Sequence, residues 1–378
     1  MPEVVVVGAG PVGLLAAAEL HRLGAEVAVL ERRPVVGPGS RAIGLHSPSL
    51  AALEPGGYTE RLLAEALRVD RGEARSGGRV LGVVRFDQLS RRFPFVATLP
   101  QAVTERVLTD AAPQVERGVT VRRVAVERDG VRIDVERGNG GAGEVRAGVV
   151  IVASGSGARQ LVYRPGAVAV REYPDRYLMA DAPAEGRAVA EVHLDRGGVL
   201  ESFPMPGGVR RFVAWDASPG DDDPAARTAR LRGAVADRVG TDTAASIAGA
   251  TSFRVRRAVA PRLRRGRLVV IGDAAHEVSP IGGQGMNLGL LDAATLAPLV
   301  AAWVRGDEAP HADLARWERR RVASARRAAL LASLNTGLGR PLGAVGDRAR
   351  RAALRALLAG PGARAFAHAY AMGLDLDA

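Results

Sequence analysis

The stretch 271–292, IGDAAHEVSPIGGQGMNLGLLD, decides how this chain is read. An apolar strand, Arg267 to Ile271, runs into Gly272-Asp273. A turn with Pro280 and the paired glycines Gly282 and Gly283 follows, and an apolar-periodic helix begins at Gly285. A carboxylate at the end of a strand can grip a polar ligand. Unpartnered N–H groups at a helix start stabilise negative charge. One connection joins the two features, so a single ligand can use both. From these residues alone, a strand, a turn and a helix with an incidental glycine-rich link remains the alternative.

A second glycine turn stands near residue 1. Val4 to Val7 is wholly apolar, as in a parallel strand buried on both faces. Gly8, Gly10 and Gly13 complete G-x-G-x-x-G. The helix expected from Pro11 to about Leu23 carries Val12, Leu15, Ala16, Leu20 and Leu23 on one face, and Gly24 stops it. Ala25 to Leu30 is the next strand and ends in Glu31. The glycines allow a tight turn and close approach to a pyrophosphate, while Glu31 suits a ribose hydroxyl pair. Glycines kept for packing alone are the other reading.

Together the two stretches resemble the flavin monooxygenases related to para-hydroxybenzoate hydroxylase. The first looks like that family's ADP-binding motif and the second like its second flavin-binding motif. The resemblance implies an α/β fold: a Rossmann-like FAD-binding domain, an inserted antiparallel β-sheet substrate domain and a C-terminal helical region. It implies non-covalent FAD, held by Gly8, Gly10, Gly13, Glu31 and Arg32 (or Arg33) at the adenosine end. Asp273 would bind the ribityl chain. Gly283 and the N–H groups of Gly285, Met286 and Asn287 would face the pyrimidine edge of the isoalloxazine. Pro280 would lie near the reactive edge. Pro280 and Gly285 thus have flavin-environment roles, and no side chain is assigned as acid or base. His276 reads as structural. Three further positions follow from the resemblance. Arg41, in Ser40-Arg41-Ala42, would contact the flavin side, or be a solvated loop residue. Gln101, in the Q-x-x-x-E-x-x-L segment 101–108, would turn its amide to the cofactor, or be a plain helix residue. Backbone near Val124 would support adenine.

The chain departs from that pattern after the strand Val149 to Ala153. The family has an Asp-Gly pair there; here Ser156-Gly157 occupies the place, within Ser154 to Gln160. A hydroxyl replaces a carboxylate that supports both the flavin and its reduction by nicotinamide. NADPH or NADH as reductant is therefore a weaker expectation than FAD.

The domain boundaries expected are 1–70, 97–170 and 254–305 for the FAD-binding part, 71–96 and 171–253 for the substrate part, and 306–378 for the C-terminal helices. Val80 to Phe95 reads as strands that leave the cofactor domain. Arg176 to Asp181, Val189 to Leu194, Val199 to Met205 and Val209 to Trp215 alternate apolar and polar residues, with glycine pairs as turns. Candidate substrate-lining residues on them are Met179, His193, Phe203, Met205, Phe212 and Trp215, each of which also suits a plain sheet core. Leu354 to Ala371 resembles the family's closing helices.

Composition narrows the function. All 52 basic residues are Arg, and the net charge is +11. A nucleic-acid binder has little physical reason to exclude Lys, so the charge points instead to anionic small molecules. With no Cys, disulfides, thiolate chemistry and a cysteinyl-linked flavin are excluded. No metal is expected. No charged and apolar leader or membrane span is read, so the expectation is a soluble cytoplasmic protein. The resemblance implies a two-stage cycle in which NAD(P)H reduces the flavin and dioxygen then adds at C4a as a hydroperoxide. That species hydroxylates, or epoxidises, an aromatic or polyketide-like small molecule. The alternative is a flavoprotein cyclase or isomerase of the same fold acting without net oxidation.

Overall fold

The computed structural model describes residues 1–37, 42–138, 140–218, 223–306, 308–360 and 362–377. Val4–Val7 lies inside a six-stranded sheet. Its order is Arg264–Arg265, Leu268–Val270, Val149–Val152, Val4–Val7, Val27–Glu31, Val115–Arg117. Only the pairing of the first two strands is antiparallel. The strands VVVV and VVIV are buried along their whole length, which explains their unbroken apolar runs. The helices Pro11–Arg22 and Gln284–Arg305 pack against each other and share this core. Gln284–Arg305 has the length and hydropathy to cross a membrane, but 67% of its apolar window is buried within the fold. It is placed as a core helix.

A three-stranded meander, Val119–Val126, Val131–Arg137 and Ala142–Ala147, leads back into the parallel sheet. The meander's last strand and Val149–Val152 follow one another but lie in two sheets, divided at Gly148. A side chain there would meet the Glu3 carbonyl oxygen at 2.9 Å.

The largest sheet has eight strands. Its order is His276–Glu277, Thr251–Val259, Val170–Pro183, Val209–Asp216, Gly198–Met205, Ala190–Asp195, Arg71–Ser76, Arg79–Arg85. Of the stretch expected as strands over 80–95, only the part within Arg79–Arg85 is a strand, the second arm of this last hairpin, and 86–95 carries none. It is followed by Val96–Thr98, which sits in a small separate sheet. Thr98 ties that small sheet to the large one by donating its hydroxyl to the Pro204 carbonyl at 2.7 Å.

Both faces of the large sheet are covered. Leu178, Leu200, Phe212 and Ala214 pack outward against Leu231 and Val235 of the helix Pro224–Ala236. Asp223 caps that helix by accepting from the Ala226 N–H at 2.7 Å. The opposite face carries Met179, Val199 and Val213 and meets Ile281 and Leu354. The C-terminal run expected as Leu354 to Ala371 forms two helices, Ala344–Ala359 and Gly362–Tyr370, because Gly360 leaves the helical conformation.

The stretch that decided the reading is also the seam. Leu268–Val270 belongs to the parallel sheet, and His276–Glu277 is the edge strand of the large one. A buried ion network holds this seam. Asp292 accepts from the Gly272 N–H at 3.0 Å and from Arg321 Nε at 2.7 Å, and meets His276 Nε2 at 2.5 Å. Arg321, fully buried on the helix His311–Leu338, also reaches Asp375 at 2.7 Å and the Leu288 carbonyl at 2.9 Å. Burial pushes Asp292 up, but His276 and Arg321 outweigh it and hold the carboxyl below the usual range. His276, expected as structural, has its place in this network.

Candidate functional site

One continuous cavity of about 900 Å³ runs from the first glycine turn to the inner face of the large sheet. Its first end is built where the Val4–Val7 strand turns into the Pro11–Arg22 helix. Gly13 is glycine for packing: a Cβ there would stand 1.9 Å from the Gly8 carbonyl oxygen. Gly8 has φ +108°, and a Cβ would meet the Ala153 oxygen at 2.6 Å. Gly10 differs. A Cβ on it would meet nothing within 4 Å among the described residues, yet Gly10 lines the cavity. The helix it precedes has no side-chain cap, so its first N–H groups point at the same space.

Glu31 closes this end. Its carboxylate accepts from the Ala9 N–H at 2.8 Å and from the N–H and Nε of Arg33 at 2.9 and 3.0 Å. Burial raises its pKa, but those donors prevail and keep it ionised below the ordinary value. Arg32 and Arg33 line the cavity beside it. Val124 does not: it is buried in the core, and the cavity touches Val119 to Arg122 of the same strand. Gln101 lines the cavity, with its amide donated to Glu105 at 2.8 Å. Arg41 lies outside the described residues.

The middle of the cavity is the seam. Asp273, Pro280, Gly283, Gly285 and Met286 all line it. Gly283 has φ +67° and precedes the Gln284–Arg305 helix without any side-chain cap. Asn287 is fully buried and does not line the cavity. Its amide donates to the Gly44 and Gly283 carbonyls at 2.8 and 2.9 Å and accepts from the His46 N–H at 2.9 Å. It clamps the loop before the Ser47–Leu53 helix onto the helix start. Ser156 also lines the cavity. Arg159, just beyond it, donates to the Asp273 and Ala274 carbonyls at 2.9 and 3.2 Å, and so ties the departing segment to the seam.

The far end is apolar, between the large sheet and the C-terminal helices. Met179 and Phe203 line it, with Val192, Val213 and Phe253 beside them and Leu338, Leu354, Phe366 and Tyr370 opposite. The other sheet candidates sit elsewhere. His193 pairs with Leu200, and Phe212 with Ser202, on the outer face. Met205 is buried outside the lining, and Trp215 donates its indole N–H to Asp175 at 3.1 Å.

Several lining residues carry polar chemistry that the sequence reading did not single out, Glu73, Arg211 and Asn335 among them, and three more bear on the apolar end. Glu201 is buried in the apolar end. Tyr370 lies opposite. His46 stands edge-on to Tyr370, and burial lowers it to about 4, so it is neutral near pH 7.

The family profile described as FAD binding domain matches residues 1–331. The chain is 34% identical over 318 residues to 6-methylpretetramide 4-monooxygenase of Streptomyces rimosus, covering 81% of this chain and 56% of that protein. It is 30% identical over 341 residues to 12-dehydrotetracycline 5-monooxygenase/anhydrotetracycline 6-monooxygenase of Streptomyces rimosus, covering 85% and 67%. The chain thus spans about half to two thirds of the length of these relatives. Among solved structures, p-nitrophenol 4-monooxygenase of Pseudomonas putida superposes with a TM-score of 0.89 at 22% identity, over 97% of this chain and 96% of that one. At that identity the likeness establishes the fold.

The residues present fit FAD. The empty space above Gly10 is one that packing does not require, and the helix behind it offers unpartnered N–H groups to a pyrophosphate. Buried Ser154 Oγ, beside that turn, has no hydrogen-bond partner among the described residues. One cavity then carries this cradle on to a second uncapped helix start.

Proposed function

The chain belongs to the FAD binding domain family, and on that premise we propose that it is an FAD-dependent monooxygenase acting on an aromatic or polyketide-like small molecule. The observation that carries this reading is the continuity of the cavity. A nucleotide cradle, an uncapped helix start and an apolar chamber share one space.

In this reading Gly8, Gly10 and Glu31 hold the adenosine diphosphate end, and Asp273 holds the ribityl chain. Bound FAD supplies the two-electron chemistry by which dioxygen yields one oxygen atom to the substrate and one to water. NAD(P)H and a proton balance the reaction. The N–H groups of Gly285 and Met286 would meet negative charge at the pyrimidine edge. Pro280 has no N–H to present and permits close approach of a ring. The walls of Met179, Val192, Phe203 and Val213 orient the substrate and exclude water. The sheet of 171–253 with the 71–96 hairpin would form the substrate part, and the segments 1–70, 97–170 and 254–305 the cofactor part.

Reduction by NADPH or NADH belongs to the same proposal. Ser156 stands where relatives of the para-hydroxybenzoate hydroxylase type carry Asp. Arg159, fixed on the Asp273 and Ala274 carbonyls, anchors the segment without that carboxylate.

FAD-loaded protein supplied with NADPH or NADH and a panel of neutral polycyclic phenols is expected to consume oxygen in a substrate-linked way. Product formed under ¹⁸O-labelled dioxygen should carry one labelled atom. No substrate-linked oxygen uptake with either donor would remove the proposal. Anaerobic ring closure without nicotinamide would favour the cyclase reading instead.

A further inference from the structure

Glu201 is the anomaly of the apolar chamber. It lies on the Gly198–Met205 strand, flanked in register by Val192 and Val213, and both neighbours are apolar cavity residues. The residue is 4% exposed, and its carboxyl has no hydrogen bond or ion pair among the described residues. A buried carboxyl without a partner is costly, so such a group asks for a ligand. It lines the cavity on the same face of the sheet as Val192 and Val213.

The opposite wall supplies a second polar group. Tyr370, on the last helix, is held by rings: it stacks on Phe86 and Phe366 at 6.0 and 6.3 Å, with His46 edge-on at 6.3 Å. Burial first, and the charge of Glu201 second, push its hydroxyl up, so it stays a phenol. Burial first, then the charges of Asp175 and Glu201, push up the hydroxyl of Tyr177 on the Val170–Pro183 strand, which is buried with no hydrogen-bond partner among the described residues. Among the charged residues that line the cavity from this sheet, Arg211 is locked by two bonds to Asp181 at 2.6 and 2.7 Å, Glu73 pairs with Arg75 at 2.6 Å, Arg256 pairs with Glu172 at 3.1 Å, and Arg254 stands away on the Thr251–Val259 strand. A carboxylate-bearing substrate would therefore meet another carboxyl there. Burial pushes Glu201 up to about 8, which leaves it largely protonated near neutrality.

Building on the substrate chamber argued above, we propose that Glu201 and Tyr370 grip from opposite walls one neutral oxygen substituent, a carbonyl or hydroxyl, on the aromatic substrate. The same buried carboxyl disfavours substrates that carry a carboxylate. A protonated acid donates to a carbonyl while its own C=O accepts from a hydroxyl, so a hydroxy-ketone satisfies both of its functions. Glu201 and Tyr370 are specificity-determining residues in this assignment.

The test uses FAD-loaded protein and binding read from the flavin absorbance, so it does not depend on turnover. The probes are 1-hydroxyanthraquinone and anthraquinone-2-carboxylate. Wild type should prefer the neutral probe by about 10-fold or more, and E201L should lose about that much for it. E201Q keeps a donor and an acceptor and should retain the affinity. Above about pH 8 the wild-type affinity should weaken, while that of E201Q stays level. An infrared band of a protonated carboxyl should be present in wild type, vanish in E201Q and shift when the probe binds. Failure of wild type to bind the neutral probe, equal affinity for both probes, or equal affinities in all three proteins would overturn the assignment. Holoprotein that binds the probe as described but never oxidises NAD(P)H would sink the monooxygenase reading and leave this one standing.

Discussion

Gly10→Val is expected to give a folded protein that no longer takes up FAD. The Cβ of the valine meets nothing within 4 Å among the described residues, and Gly10 has φ −82° and ψ 177°, a backbone that any residue adopts. The fold therefore has no reason to object. The space it fills is the mouth of the first glycine turn, where the pyrophosphate must approach the uncapped helix start. The loss should reach about 100-fold or more in FAD affinity, on the order of 2.7 kcal/mol. Gly13→Val supplies the contrast. Its Cβ would sit 1.9 Å from the Gly8 carbonyl, so the strand-to-helix turn itself must move. That variant should lose stability as well as FAD. Circular dichroism with an FAD titration on both separates the two roles. A Gly10→Val protein that binds FAD as tightly as wild type would show that the cofactor lies elsewhere.

The second large effect is on stability. Arg321→Met should destabilise the protein by about 3–5 kcal/mol, because it strands Asp292 at full burial. His276 remains beside Asp292 and the Asp377 N–H remains on Asp375, but the Leu288 carbonyl and Asp375 each lose the guanidinium. Asp292→Asn should cost a similar amount. The double variant should cost clearly less than the two singles added, since each single leaves the other partner uncompensated. Urea unfolding of the four proteins measures this directly. The network also sets an acid limit. The Asp292 pKa is depressed in the fold, so its stabilisation is complete above the unfolded carboxyl pKa of about 4 and is lost as pH falls further. Asp292→Asn should flatten that part of the stability curve. Additive single effects with an unchanged acid limb would contradict the account.

Why some of this was legible in the sequence is a matter of backbone geometry. Gly8, Gly272 and Gly283 have φ of +108°, +63° and +67°, conformations that glycine adopts without strain, so the turns leave a direct mark on composition. The buried parallel strands are apolar throughout for an equally direct reason. The faces of the large sheet left no such mark. Alternation separates two sets of side chains, but both sets are covered here, one by Pro224–Ala236 and the other by the C-terminal helices. His193 and Phe212 therefore looked as suitable as Phe203 and face the other way. The informative residue was the acid between Val199 and Phe203: Glu201 shares their parity and breaks an apolar face. Asn287 was read through its backbone, whereas its side chain clamps the Gly44–His46 loop from far away in sequence, a contact no local pattern announces. Tyr370 reaches the cavity from the last helix for the same kind of reason.

The central claim is that two glycine turns, one before Pro11 and one before Gln284, hold opposite ends of a single FAD. Isothermal titration of the purified, cofactor-free protein with FAD, FMN and NAD tests it most directly. The account predicts one-to-one binding of FAD, with FMN and NAD each weaker by about 100-fold or more, because each of them can engage only one of the two turns fully. Absence of FAD binding, or FMN or NAD bound as tightly as FAD, would contradict it.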